Sequence, residues 1–217
     1  TCGSGSLLLK VGDEARVKPS LYGQEKDEST SGLARMNMYL HNNPGAVIAL
    51  GNTLVHPHYK DGSALKTFDV VVANPPFSDK SWSTGLDPEN DAYGRFAEFG
   101  VPPAKQGDYA YLLHIVRSLK PGVGKGACIL PHGVLFRGNA EADIRRNLVR
   151  KGYIKGIVGL PPNICFGTGI PACIIVLDKQ GASARKGIFL IDASKGFLKD
   201  GAKNRLRARD IHKIVDT

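Results

Sequence analysis

The residues whose types and spacing could do chemistry are Asn74-Pro75-Pro76-Phe77, at the end of the apolar run Phe68-Asp69-Val70-Val71-Val72-Ala73. A short β-branched run that stops at two prolines predicts a buried strand whose last residues are handed to a site. Proline fixes φ and has no N–H, and it pushes the residue before it out of the helical region. The tip is therefore stiff, and Asn74 is held extended. The amide oxygen of Asn74, the carbonyl of Pro75 and the flat ring of Phe77 together suit a planar group that carries an NH2, such as the exocyclic amine of a nucleobase.

Other stretches offer ligand chemistry beside a bland alternative. Thr1-Cys2-Gly3-Ser4-Gly5-Ser6 is a Gly-rich turn of the kind that cradles a cofactor after a strand, yet no strand precedes it in this sequence, which reads as a fragment. Leu21-Tyr22-Gly23-Gln24-Glu25 predicts a strand ending on an acid; Glu25 can accept from both hydroxyls of a ribose or sit in solvent. The run Val47-Ile48-Ala49-Leu50-Gly51-Asn52 is a further strand tip, continued by Thr53 and Leu54. Phe166-Gly167-Thr168-Gly169-Ile170-Pro171 is either a plain loop or the wall of a pocket. His132, Arg137 and Asn139 suit DNA phosphate, a base pocket or an ordinary surface, and Arg145, Arg146, Arg150 and Lys151 suit a DNA backbone or solvent.

The elements that must position these residues alternate. Helical spacing runs over 7–17, then from a start at 27–31 to Leu40, then over 108–119 and 137–151, while strands are predicted at 21–25, 47–52, 68–73, 126–131, 153–160, 172–177 and 187–191. The joint at 161–171 is too short for a crossover helix, so the strands on either side should pair antiparallel. From residue 195 the tail is basic and loop-like before a short helix. Residues 78–107 lack periodicity, which predicts a functional or disordered loop; Trp82, Tyr93, Phe96 and Phe99 make it a candidate for closing over a ligand. The expected fold is α/β, a mostly parallel sheet with helices on both faces and a C-terminal antiparallel hairpin. Every candidate residue follows a strand's C-terminal end, where open α/β sheets bind ligands.

A chain of 217 residues suits one domain with a real core. Hydrophobic residues make up 42% and charged residues 23%, and no apolar run approaches the roughly 18 residues of a membrane span, which argues for a soluble globular class. No signal peptide is present, and Cys2, Cys128, Cys165 and Cys173 lack metal-ligand spacing, so free thiols in a cytoplasmic protein, with no metal and no membrane, are expected. The formal net charge of +9 favours a polyanionic partner.

The Gly3-Ser4-Gly5 turn, Glu25, Asn74-Pro75-Pro76-Phe77 and the loop at 166–171 occur in the order found in S-adenosylmethionine-dependent N6-adenine DNA methyltransferases. With the segments 21–37, 131–138 and 159–171, the whole chain resembles the modification (M) subunit of type I restriction-modification systems. The resemblance implies a Rossmann-like methyltransferase fold, S-adenosylmethionine as cofactor, DNA as substrate, and specificity (S) and restriction (R) subunits as partners. It implies that Thr1, Cys2, Gly3, Ser4, Gly5, Ser6, Glu25, Asn52, Thr53, Leu54 and Asn74 hold the cofactor. Asn74, Pro75, Pro76 and Phe77 would be catalytic, and Phe77, Phe166 and Thr168 would meet the target base. Asn52 departs from the Asp usual in this context, and the family's Asp-Pro pair ahead of Thr1 is missing. Residues 1–217 are thus expected to be a methyltransferase catalytic domain lacking its first strand and an N-terminal helical region. Two other readings stay open: an incomplete core or assembly fragment, and an amino-methyltransferase acting on protein glutamine or RNA.

Overall fold

A computed structural model describes residues 1–165 and 168–216. Helix α1 (Ser6–Glu14) leaves the glycine turn, followed by β1 (Tyr22–Glu25), α2 (Glu28–Leu40) and β2 (Val47–Leu50). Asp27 caps α2, its carboxylate accepting from Thr30 N at 2.7 Å, as an acid ahead of a helical pattern should. β1 and β2 pair in parallel, and a small core of Leu9, Leu21, Ala34, Met38 and Ile48 seats both helices on them.

The short hairpin β3 (Lys60–Asp61) and β4 (Ala64–Leu65) turns at Gly62, which takes φ +63°, and leads to β5 (Val70–Ala73). Then come α3 (Asp108–Ser118), β6 (Lys125–Pro131), a 3-10 turn (His132–Leu135), α4 (Ala140–Arg150), β7 (Ile154–Gly159) and β8 (Ala172–Asp178). The chain continues through β9 (Phe189–Asp192), β10 (Leu198–Asp200), β11 (Lys203–Arg205) and α5 (Ala208–Val215). The main sheet has the order β5-β6-β8-β7-β9, with β5/β6 and β7/β9 parallel. β8 runs antiparallel to both β6 and β7, so the short joint at 161–171 does reverse the chain. The principal core lies where α3 and α4 cover this sheet, through Leu112, Leu113, Leu130, Ile144, Leu148 and Leu177.

Two expectations are corrected. Residues 78–107 are neither disordered nor a free lid, because Trp82, Phe96 and Phe99 are buried in the principal core, with Trp82 Nε1 donating to Pro103 O at 2.9 Å. Aromatic residues fixed by distant neighbours leave no period in the sequence. The tail is not simply loop-like, since β10 and β11 form an antiparallel hairpin. That hairpin braces the 161–171 joint: Lys203 Nζ donates to Cys165 O and Thr168 O at 2.7 and 3.3 Å, and Asn204 donates to Pro162 O and Asn163 O. Lys203, in the basic tail, thus satisfies loop carbonyls.

Candidate active site

The site is built on the C-terminal ends of β1, β2 and β5. At β1, the Gln24 carbonyl accepts from Thr1 N and Cys2 N at 2.6 and 2.9 Å, which lays the glycine turn against the strand. Gly3 takes φ +58°, a conformation that suits glycine, and a Cβ there would point into open space. Its N–H donates to Glu25 Oε2 at 2.9 Å, while Oε1 accepts from Lys26 N at 2.8 Å and Asp27 N at 3.2 Å. Glu25 thus stays half-buried beside the turn with lone pairs to spare. Gly5, also at positive φ, is buried against α2, and Ser4 and Ser6 face solvent with their hydroxyls 2.9 Å apart.

Gln24 was not among the residues read as functional, yet it joins two walls of the site. Its buried amide donates to His56 O at 2.9 Å and accepts from His58 N at 3.0 Å, pinning the loop after β2 to β1. In that loop Asn52 Oδ1 accepts from Leu54 N at 2.9 Å and more weakly from Val55 N at 3.4 Å. Because backbone N–H groups only donate, the oxygen must face inward, and the Asn52 NH2 is left to meet a ligand. An acceptor such as a ring nitrogen suits it, whereas the Asp usual in this context would itself accept. The Leu54 side chain is fully buried in the principal core, so it offers a ligand nothing.

The same loop is held from the far side by a buried ion pair. Arg95 Nη2 lies 2.5 Å from Asp91 Oδ1, and Arg95 Nη1 donates to Leu54 O at 2.8 Å. Arg95 Nη1 is also 3.4 Å from His114 Nδ1, and since arginine only donates, Nδ1 accepts and the Nε2–H points at Thr53 Oγ1, 3.1 Å away. Burial, then the neighbouring guanidinium, push His114 down to about 3, so the ring is neutral.

At the β5 tip Asn74 and Pro76 are exposed, Pro75 is buried and Phe77 is half-buried. Phe77 packs on the cluster of Val158, Leu160 and Ala172 with Ile164 and Cys165 alongside, so the tip and the 161–171 joint share one wall. Beyond the prolines, Ser78 N donates to Asp108 Oδ1 at 2.8 Å. A cavity of about 680 Å³ runs between β1 and β5, lined by Thr1, Cys2, Gln24, Thr53, Ala73 and Tyr111 among others. Thr1 and Cys2 of the predicted cofactor turn, Thr53 of the loop after β2 and Ala73 at the root of the tip therefore border one space.

The remaining candidates divide. Thr168 Oγ1 accepts from Ile170 N at 3.0 Å, and Phe166 lies outside the described residues. Arg137 is tied up between Asp108 and Glu141, Arg145 donates to Val134 O and Arg137 O, and Arg146 and Lys151 pair with Asp143 and Glu98. Phe136, 74% exposed just after the 3-10 turn, was passed over because a single aromatic in an irregular stretch carries no pattern. Burial pushes the thiols of Cys128 and Cys173 up, Cys173 to about 12, so both are packing groups. Among the described residues no cluster could hold a metal, and no helix is long and apolar enough to cross a membrane.

Comparison with known proteins agrees with this architecture. The family model for N-6 DNA methylases matches residues 1–217. The methylase subunit of the type I restriction enzyme MpnII from Mycoplasma pneumoniae is 37% identical over 99% of this chain and 41% of its own length. The crystal structure of a type I restriction-modification methyltransferase subunit from Streptococcus thermophilus superposes with a TM-score of 0.88 at 40% identity, covering all of this chain and 46% of that one. For the fold alone, a class I S-adenosylmethionine-dependent methyltransferase from Listeria monocytogenes gives a TM-score of 0.63 at 18% identity, over 88% of this chain and 56% of that one. The chain spans less than half the length of the type I subunits it matches. Strand tips, glycine turn and full-length match agree: this chain belongs to the N-6 DNA methylase family.

Proposed function

We propose that residues 1–217 are the catalytic core of a type I modification subunit that methylates the N6 amine of adenine in DNA, with S-adenosylmethionine as donor. The observation that carries this is the β5 tip. An exposed Asn74 on a buried Pro75, with Phe77 seated at its side, follows directly on Ala73, which lines one cavity together with Thr1, Cys2 and Thr53. The residues fit the cofactor: Gly3 leaves open space at positive φ, Glu25 offers acceptors for hydroxyls, and Asn52 offers a donor. Thr1 to Ser6, Glu25 and 52–53 would hold it, Leu54 only through its backbone. When bound, S-adenosylmethionine supplies an electrophilic methyl group. Adenine N6 is a poor nucleophile because its lone pair is delocalised into the ring. Asn74 Oδ1 and the Pro75 carbonyl would accept hydrogen bonds from its two N–H groups and favour a more tetrahedral nitrogen, while Phe77 would stack on a base flipped from the duplex and Phe166 and Thr168 would contact it.

The domain reading belongs to the same proposal. The cavity is flanked on both sides by strand backbone, Tyr22 to Gln24 and Val70 to Ala73, as a place for one more strand would be. A strand carried ahead of Thr1, together with a helical region, would complete the sheet and the cofactor site. DNA sequence readout and cleavage would fall to separate S and R subunits, in the cytoplasm. The test is methylation of duplex DNA by the intact assembly, with nucleosides separated afterwards. N6-methyl-2′-deoxyadenosine is the expected product; label in protein glutamine or RNA instead would overturn the assignment.

A further inference from the structure

Ser78, the residue that follows the tip, has φ +52°. For a residue with a side chain this left-handed conformation is held only when its surroundings impose it. Its surroundings are three bonds to the start of α3. Ser78 N donates to Asp108 Oδ1 at 2.8 Å, Gly107 N donates to Asp79 O at 3.0 Å, and the Tyr111 hydroxyl donates to Asp79 Oδ2 at 3.0 Å. Gly107 itself has no room for a side chain, since a Cβ would lie 2.7 Å from Trp82 Cβ.

Asp108 is the centre of this arrangement. Its side chain is wholly buried, and its second oxygen lies 2.5 Å from Arg137 Nη2. Arg137 in turn holds Glu141 through Nε and Nη2, and Glu141 is buried in the first turn of α4. Both acids sit in first helical turns, where partial positive charge favours them. A chain of hydrogen bonds and ion pairs therefore runs from Ser78 through Asp108 and Arg137 to Glu141, linking the end of the tip to two helices of the principal core. Pro75 and Pro76 have no N–H with which to anchor themselves, so the tip depends on what grips it next.

We propose that Asp108 is a positioning residue for the Asn74–Phe77 acceptors, acting through the Ser78 amide. The proposal rests on the reading of that tip as the holder of adenine N6. Arg137 and Glu141 fix the Asp108 carboxylate, and Asp108 fixes where the tip ends.

The test uses the full-length subunit in its active assembly, comparing wild type with Asp108→Ala and Asp108→Asn. Asp108→Ala should lower kcat for adenine methylation about 100-fold, the scale of a misplacement near 1 Å, and leave KM for S-adenosylmethionine within about twofold. Asp108→Asn keeps an oxygen for Ser78 N and should restore at least about tenfold of that loss. Hydrogen exchange in a peptide carrying Ser78 and Asp79 should speed up in Asp108→Ala, remain near wild type in Asp108→Asn, and be unchanged in both for a peptide covering 68–73. Wild-type kcat in Asp108→Ala, or equal losses of kcat and melting temperature in the two variants, would overturn the proposal. If Asp108→Ala does not fold, Asp108→Asn decides: a folded variant with wild-type exchange at Ser78 and a 100-fold loss of kcat refutes it. A wild-type assembly that makes no N6-methyl-2′-deoxyadenosine sinks the underlying reading instead.

Discussion

Replacing Arg95 by Met should reveal how far the loop after β2 depends on residues 78–107. The Arg95 and Asp91 side chains are 0% and 3% exposed, and Met keeps most of the volume, so the loss is electrostatic. Removing one member of a buried pair strands the other and is worth about 3–5 kcal/mol. At about 2–4 °C per kcal/mol for a domain of this size, melting should fall by roughly 6–20 °C. Trp82, the single tryptophan, is buried with its ring 5.7 Å from Phe96, so its fluorescence in urea reports this region.

The pH dependence gives a second signature. Burial pushes the Asp91 carboxyl up, but the hydrogen bonds and charge of Arg95 outweigh it and hold the group below the usual carboxylate range. In the wild type that stabilisation is complete above about pH 4, near the unfolded value, and is lost as pH falls through the lower folded one. It is therefore constant between pH 7 and 5. In Arg95→Met the push of burial is opposed only by the backbone N–H groups of residues 95 and 93, so the deficit should be largest at pH 7 and shrink toward pH 5. The double variant Arg95→Met/Asp91→Leu should recover most of the loss. A single-variant deficit under about 1 kcal/mol, or one that grows on acidification, refutes the reasoning, since either means Asp91 was never a stranded buried charge.

Asn74→Ala in the intact assembly should abolish adenine methylation while S-adenosylmethionine binding by calorimetry persists; retained methylation removes Asn74 from its role. Glu25→Gln should weaken cofactor binding roughly tenfold and lower the urea midpoint slightly, because the amide loses the charge and offers one oxygen where the carboxylate uses one for Gly3 N and the other for Lys26 N and Asp27 N. Gly152→Ala should destabilise by about 2 kcal/mol or more, since φ is +67° and the new Cβ would overlap the Ala182 carbonyl; an unchanged midpoint shows that the backbone relaxes there. Phe136→Ala should leave melting unchanged and weaken DNA binding several-fold in a titration at fixed salt, and equal affinity returns Phe136 to an ordinary surface residue.

Legibility in the sequence followed the range of the interactions. The β5 tip was readable because a β-branched run and two prolines are adjacent, and Asp27 because a cap lies next to the helix it serves. The reversed strand β8 followed from loop length alone. By contrast, Gln24 serves residues more than thirty positions away, and Ser78 finds Asp108 thirty positions on. Pairing at that distance leaves no period. Charged residues stayed ambiguous for the same reason: Arg137 and Arg145 suited DNA or a surface equally, whereas each is committed to a carboxylate or a carbonyl made by folding.

The burial of Trp82, Phe96 and Phe99 bears on how the molecule comes apart. A connection that contributes its aromatic rings to the principal core, and its Asp79 and Gly107 backbone to the start of α3, shares the stability of that core instead of fraying alone. On heating, the tip should therefore keep its shape until the core melts as a whole, so loss of activity and the change in Trp82 emission should trace one transition.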